Sequence, residues 1–232
     1  MFLKNLKKFK LICSLIVLAS WWVILYIMGK LWINISDDYM LGYYLSTIIV
    51  IYIIYLILIP IIFNINIKLY INKIGLKFNN ETLILSIALI LSMIIGFCLR
   101  KPIALSEHYW AWLYLLQPPM VEELLFRGVI PYLLYNKYKN KLAPFIISCI
   151  LFSLIHILLG MNGILNSLLI GAILLTIRIQ CNSIIPSMII HYIINSRGAY
   201  AWGLCFIVVV IYEFHWIKNR YNNSKLLDSF IS

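Results

Sequence analysis

Residues 40–63, MLGYYLSTIIVIYIIYLILIPIIF, form an apolar run of 24 residues without a charged side chain. An α-helix needs roughly 20 apolar residues to cross the hydrocarbon core of a bilayer, so this run is long enough to span a membrane. Comparable apolar stretches lie at about 11–28, 83–99, 109–135, 143–160, 163–179, 183–196 and 198–217. The predicted fold is an all-α polytopic membrane bundle of about eight transmembrane helices, with residues 1–232 as a single transmembrane domain. Seven passes are the alternative, because 183–196 is short for a span.

The composition supports a membrane protein and explains the charge. Hydrophobic residues make up 63% of the chain and charged residues 12%, whereas soluble domains carry about 25% charged residues. The net charge of +11 comes from Lys and Arg residues in short clusters between the apolar runs, as in the cytoplasmic loops of membrane proteins. We therefore predict a multi-pass protein of the cell membrane with both termini in the cytoplasm and no nucleic-acid partner. The five scattered cysteines predict neither disulfides nor a Cys-metal site.

Charged residues interrupt the span 109–135, where residues 118–128 read PPMVEELLFRG. An ionised side chain at the bilayer centre costs roughly 3 kcal/mol on insertion scales, so such residues are usually functional or paired. Glu123 and Arg127 are four residues apart and can form an ion pair along one helix face. Glu122 points roughly 100° away from Glu123 and faces a different neighbour. The two prolines favour a helix start at Pro118, which would break the span near its middle.

Two further polar pairs lie deep in apolar runs: Phe152 with His156, and His191 with Asn195. Each pair has the spacing that places both residues on one helix face. At about 1.5 Å per residue, both histidines, Asn195 and Glu122 reach similar depths from the ends of their spans. We therefore predict that they line one site. Taken singly, each histidine has a structural alternative, a hydrogen bond to a neighbouring helix, and the Glu–Arg pair can be purely structural.

A glutamate, two histidines and an asparagine in a partly dry cavity suit amide hydrolysis. Glu122 is the predicted general base on a water molecule, and His156 shares in activating that water. His191 and Asn195 are predicted to donate hydrogen bonds to the oxyanion of a tetrahedral intermediate. The alternative is a zinc ion with Glu122, His156 and His191 as ligands, which would lower the pKa of a bound water to about 7. This metal alternative rests on ligand types alone, because no His-Glu-x-x-His helix is present.

These three motifs resemble the signature of the CPBP intramembrane proteases, also called the Abi or type II CAAX prenyl protease family. The family pattern EExxxR reads here Glu122 to Arg127, FxxxH reads Phe152 to His156, and HxxxN reads His191 to Asn195. The motif region covers about 118–197. The resemblance implies an eight-helix core and endopeptidase activity, with catalytic roles for Glu122, His156, His191 and Asn195. Glu123, Arg127 and Phe152 are expected to support the site, and the resemblance leaves the requirement for a metal open.

The biological role follows only from the resemblance and the composition. The chain is rich in Ile, Asn and Lys, which favours a bacterial member acting on a peptide or membrane-protein substrate rather than a prenylated one. Bacterial relatives include bacteriocin self-immunity and peptide-processing proteins. Two alternatives from other classes are a non-catalytic immunity protein that binds a toxin or its receptor, and a proton-coupled transporter.

Overall fold

The computed structural model describes residues 16, 19–20, 23–33, 39–62, 64–100, 111–135 and 142–222. These residues are almost entirely helical, and no strand occurs among them. The predicted all-α membrane bundle is thereby confirmed. The basic N-terminal segment, much of the predicted span 11–28, the first two residues of the predicted span 109–135 and most of the connections before and after that span lie outside the described residues.

The described helices follow the predicted spans closely, with one extra short helix between the second and third. In chain order they are α1 Val23–Ile33, α2 Tyr39–Tyr52, α3 Ile59–Ile62, α4 Ile67–Ile74, α5 Asn80–Leu99, α6 Ala111–Glu123, α7 Ile130–Tyr135, α8 Ala143–Leu154, α9 Gly160–Cys181, α10 Ile185–Asn195 and α11 Ala199–Asn222. A π-helical turn, Ile53–Leu58, joins α2 to α3, and another, Leu124–Val129, joins α6 to α7. A 3₁₀ turn, Ile157–Leu159, precedes α9.

In the described part of the chain, four helices are long and apolar enough to cross a membrane: Gly42–Ile62, Asn80–Leu99, Ile157–Cys181 and Ala199–Asn219. Val23–Ile33, Ala143–Leu154 and Ile185–Asn195 are shorter apolar helices. The continuous helix from α6 to α7 covers 111–135 and carries the three charges of the opening motif. The chain is therefore a membrane protein, while the number of passes and the side of the termini stay predictions.

The expected helix start at Pro118 is wrong. Pro118 and Pro119 lie inside α6, and the irregularity of the helix comes later, at the π turn Leu124–Val129. Pro131 follows this turn and has no N–H to donate, so carbonyls of the preceding turn need other partners. Ser148 Oγ donates to the carbonyl of Phe126 at 2.5 Å, and Arg178 Nε donates to the carbonyl of Arg127 at 3.3 Å. Neighbouring helices thus supply the hydrogen bonds that this membrane helix cannot make internally.

The helix from α2 to α3 repeats this arrangement. Its π turn, Ile53–Leu58, ends two residues before Pro60, as the turn in α6–α7 ends two residues before Pro131. The hydroxyl of the buried Tyr70 on α4 donates to the carbonyl of Tyr55 at 2.8 Å. Buried side-chain hydroxyls therefore stabilise both irregular turns.

Helix α6 packs against both α2 and α10. Helix α10 also packs against α5, α9 and α11, and α8 packs against α9. Buried residues of α6 and the following π turn, among them Val121, Leu124 and Leu125, form the middle of the larger apolar cluster. This packing brings the helix with the glutamates beside the helix with His191.

Candidate active site

The two glutamates stand at the end of α6 in different environments. Glu122 is 8% exposed, whereas Glu123 is completely buried, as is Arg127 apart from 1% of its surface. Arg127 Nη1 lies 3.3 Å from Glu123 Oε1, so the pair at this spacing forms an ion pair along the helix. A buried charge without a partner would be costly, and each of these two residues neutralises the other.

The same carboxylate oxygen also meets α10. His191 Nδ1 lies 2.9 Å from Glu123 Oε1. Because the carboxylate can only accept, Nδ1 carries the proton in this hydrogen bond. Glu123 is therefore shared between Arg127 and His191. Sequence reasoning assigned Glu123 to Arg127 alone, and the spacing of residues along one helix carries no signal for a contact with another helix.

The hydrogen bond to Glu123 turns the other ring nitrogen of His191 toward Glu122. Nε2 lies 3.9 Å from Glu122 Oε2, a separation too long for a direct hydrogen bond but suited to a bridging group. His156 meets the same cluster through Phe152, whose ring contacts both histidines. The structure thus brings Glu122 and His191 close together, and Phe152 links His156 to them from a third segment of the chain.

His156 lies beyond the end of a helix rather than inside one. Helix α8 ends at Leu154, and His156 adopts a non-helical conformation just before the 3₁₀ turn. The predicted continuous span 143–160 is therefore wrong at its end. His156 Nδ1 donates to the carbonyl of Phe152 at 2.9 Å, which satisfies a carbonyl at the end of α8. In the neutral ring this leaves Nε2 as an acceptor.

Phe152 is the common neighbour of the charged groups. Its ring packs edge-on against His156 and His191, with centroid separations of 5.0 and 6.1 Å. The guanidinium carbon of Arg127 stands 4.1 Å from the centre of the same ring. An aromatic face attracts a cation most strongly where water is excluded, so Phe152 helps to hold Arg127 beneath the site.

Asn195 is the last residue of α10 and is half-buried. It lies one helical turn beyond His191, on the same side of the helix. In the described part of the chain, no hydrogen bond joins its side chain to the other motif residues. Asn195 is thus adjacent to the cluster without being tied to it.

The zinc alternative finds no support in this geometry. Among the described residues, no three His, Cys, Asp or Glu side chains are grouped so that they could hold a metal ion. The set Glu122, His156 and His191 falls under this finding.

Sequence reasoning missed two residues that hold Arg127 in place. The carbonyl of Gly171 on α9 accepts from Arg127 Nη2 at 3.5 Å. Arg178, near the end of the apolar run 163–179, is 3% exposed and donates to the carbonyls of Arg127 and Lys73. It also donates to Asn182 Oδ1 at 3.2 Å. A Lys or Arg at the end of an apolar run commonly reaches out to water, so its position gave no sign of this buried role.

Comparison with known proteins agrees with the motifs. Residues 104–197, about two fifths of the chain, match the family model "Type II CAAX prenyl endopeptidase Rce1-like". No curated protein matches the chain, and no solved structure does. The matched residues include α6, α8, α9 and α10 and all three motifs. The match confirms the family resemblance predicted from the motifs over residues 104–197, and the rest of the chain lies outside it.

Proposed function

We propose that the chain is an intramembrane endopeptidase that hydrolyses a peptide bond in a peptide or membrane-protein substrate. The match of residues 104–197 to an endopeptidase family model supports an endopeptidase. The observation that carries the chemistry is the Glu123 carboxylate shared by Arg127 and His191, with His191 Nε2 facing Glu122. This contact supports a role for Glu122 and His191 in one site, which His156 approaches through Phe152.

Water activation falls to Glu122 and His156. Glu122 is the nearly buried carboxylate that is not already bound to a cation at short range. His156 holds its Nδ1 proton against the carbonyl of Phe152 and so offers Nε2 as an acceptor. Two acceptors facing one water molecule orient it and remove its proton as it attacks the carbonyl carbon.

Oxyanion stabilisation falls to His191 and Asn195. To donate from Nε2 while Nδ1–H is bound to Glu123, His191 must be an imidazolium. The carboxylates of Glu122 and Glu123 flank the imidazolium and carry two negative charges. The imidazolium balances one of them, and Arg127, which is paired with Glu123, balances the other. The Asn195 amide, one turn away, supplies a second donor to the developing oxyanion. With two carboxylates and two cations, the cluster has no net charge.

The test uses the full chain in lipid vesicles and a panel of peptides, with and without a prenylated C-terminus, analysed by mass spectrometry. Single variants Glu122→Gln, His156→Ala and His191→Ala should each lower the cleavage rate roughly 10²-fold or more, while a chelator-treated enzyme with verified metal removal should stay active. Full activity in all three variants would contradict hydrolysis at this site, and loss of activity on metal removal with recovery on zinc addition would restore the zinc alternative.

The cellular role we propose is peptide processing or bacteriocin self-immunity in a bacterial host, which rests on the motif resemblance and the composition. A non-catalytic immunity protein is the rival. Cells that carry Glu122→Gln separate the two, because a binding protein keeps its protective effect when the base is removed and a protease loses it. Membrane insertion of the variant is checked in parallel.

A further inference from the structure

A cavity lies away from the motif residues, between the start of α5 and the ends of α9 and α11. Its volume is about 1140 Å³, which is at the upper end of the range for small-molecule sites. The residues that line it are Asn79, Asn80, Glu81, Ile84, Leu85, Ala88, Gln180, Cys181, Asn182, Val208, Ile211, Tyr212, His215, Trp216 and Asn219. None of these belongs to the three catalytic motifs, so the cavity is a separate site.

The cavity is polar at one end and apolar at the other. The polar end is formed by Asn79 and Glu81 at the start of α5 and by Asn219 near the end of α11. The apolar end is formed by Ala88, near the middle of α5, and Val208, in the first half of α11. At about 1.5 Å per residue, the nine residues from 79 to 88 and the eleven from 219 to 208 each correspond to roughly 15 Å. A ligand that fills this space must therefore combine a polar head with an apolar tail.

The polar end favours a positively charged head group. Glu81 is a carboxylate at this end, and no Lys or Arg is among the described residues that line the cavity, although Arg178 lies behind Asn182. The ends of α9 and α11 present helix C-termini, whose dipoles favour cations; the opposing N-terminus of α5 carries Glu81 in its first turn. The aromatic rings of Tyr212 and Trp216 suit an alkylammonium group as well.

Gln180 gives independent support for a ligand, because one atom of its side-chain amide lacks a hydrogen-bond partner among the described residues. It lines the cavity and is 6% exposed, and its amide nitrogen donates to Glu213 Oε2 at 2.7 Å. Its amide oxygen Oε1 is buried and has no hydrogen-bond partner within the described part of the chain. A buried acceptor left unpaired costs roughly 1–3 kcal/mol, and a donor on the ligand removes this cost once the amide turns Oε1 toward the cavity.

The apolar end opens toward the surface that faces the bilayer. Ile84 and Ile211, which line the cavity, are 68% and 63% exposed, and both lie in helices apolar enough to cross a membrane. A bilayer lipid can therefore enter sideways with its acyl chain between α5 and α11. We propose that this cavity binds a membrane lipid whose head group ends in a primary ammonium, of the phosphatidylethanolamine type.

The experiment adds phosphatidylethanolamine, phosphatidylcholine or phosphatidylglycerol with identical acyl chains to the full-length protein in detergent. Native mass spectrometry measures how much lipid is bound, and a thermal unfolding curve gives the midpoint temperature of unfolding. At about 100 times the dissociation constant, phosphatidylethanolamine should raise the midpoint by roughly 5–10 °C. Ethanolamine without acyl chains should not. Equal shifts for all three lipids, the largest shift with phosphatidylglycerol, or a shift with ethanolamine alone would overturn the proposal.

Variants place the lipid in this cavity. Ala88→Phe fills the apolar end and should abolish the lipid-dependent shift, whereas Ile87→Phe makes a larger side chain at the neighbouring exposed position, outside the cavity, and should preserve it. Glu81→Gln should reduce the preference for the ammonium head without abolishing lipid binding. Since the readout is the difference between lipid-loaded and lipid-free protein, a change in basal stability does not affect it. A shift that persists in Ala88→Phe would rule out this location.

Discussion

The Nδ1 atom of His191 lies 2.9 Å from the Oε1 atom of Glu123, which is also 3.3 Å from the Nη1 atom of Arg127. One buried oxygen thus orients a ring on α10 while being braced by a cation on its own helix. Because Nδ1 is occupied, the ring can present only Nε2 to Glu122. The second glutamate of the motif is therefore a positioning residue for His191, in addition to balancing Arg127.

We expect Glu123→Gln to lower kcat much more than it raises KM. The amide can still accept a hydrogen bond from His191, but it removes the negative charge that compensates an imidazolium. Loss of a group that fixes a catalytic side chain typically costs between ten- and a hundredfold. Peptide cleavage measured across the pH range is the test. An unchanged pH profile together with a change confined to KM would show that Glu123 acts only on substrate binding.

The buried pair Glu123 and Arg127 predicts a non-additive effect on stability. Glu123→Gln or Arg127→Met alone leaves one buried charge uncompensated, which typically costs about 3–5 kcal/mol. The double variant removes both charges and should be more stable than the sum of the single effects allows. Reversible unfolding in mixed micelles gives the three free energies of unfolding. Additive effects would mean that the two side chains do not stabilise each other.

Much of the fold could be predicted because its signal is local. Continuous apolar runs mark helices in a membrane protein, and the bounds of α5, α10 and α11 lie within a few residues of the predicted stretches. The helix at Ile67–Ile74 was missed because its eight residues contain two lysines and an asparagine and are too short to span a membrane.

The site was only partly predictable, for a different physical reason. Spacing along one helix predicts the pair Glu123 and Arg127, but the contact from Glu123 to His191 depends on how α6 and α10 are rotated against each other. The end of α8 before His156 has no glycine or proline to announce it. The π turn before Pro131 depends on Ser148 and Arg178, which lie on other helices.

Phe152 offers a test of the aromatic support beneath Arg127. Phe152→Leu keeps an apolar side chain of similar burial but removes the ring that meets Arg127 and both histidines. We expect Phe152→Leu to reduce activity with a modest loss of stability. Phe152→Ala should also leave a cavity, which lowers the free energy of unfolding by about 3–5 kcal/mol. Comparing kcat with the unfolding midpoint for the two variants separates orientation from packing. Equal activity of Phe152→Leu and the wild type would rule out a role for the ring.

The hydroxyls that bond the π turns predict matched losses of stability. Ser148→Ala removes the donor to the carbonyl of Phe126, and Tyr70→Phe removes the donor to the carbonyl of Tyr55. Each leaves a buried acceptor unsatisfied, so each should lower the free energy of unfolding by about 1–3 kcal/mol. Tyr26→Phe, at a residue that is 67% exposed, is the control and should change little. A loss no larger than the control's would mean that the turns do not need these donors.

Gly171 and Gly203 both lie inside helices, but we expect substitution by alanine to have opposite effects on stability at the two positions. A Cβ added at Gly171 would lie 3.0 Å from Cys149 Sγ, 3.2 Å from Phe152 Cδ1 and 3.4 Å from Arg127 Nη2, whereas one added at Gly203 meets nothing within 4 Å. Gly203→Ala should therefore stabilise the helix by roughly 0.5–1 kcal/mol, and Gly171→Ala should lower both stability and activity, because crowding displaces the support beneath Glu123. Removing the sulfur in Gly171→Ala/Cys149→Ala relieves the tightest contact and should restore part of the loss. Thermal unfolding and peptide cleavage of the three variants decide the matter, and a Gly171→Ala enzyme as stable and active as the wild type would show that α9 can move away from Arg127 without cost.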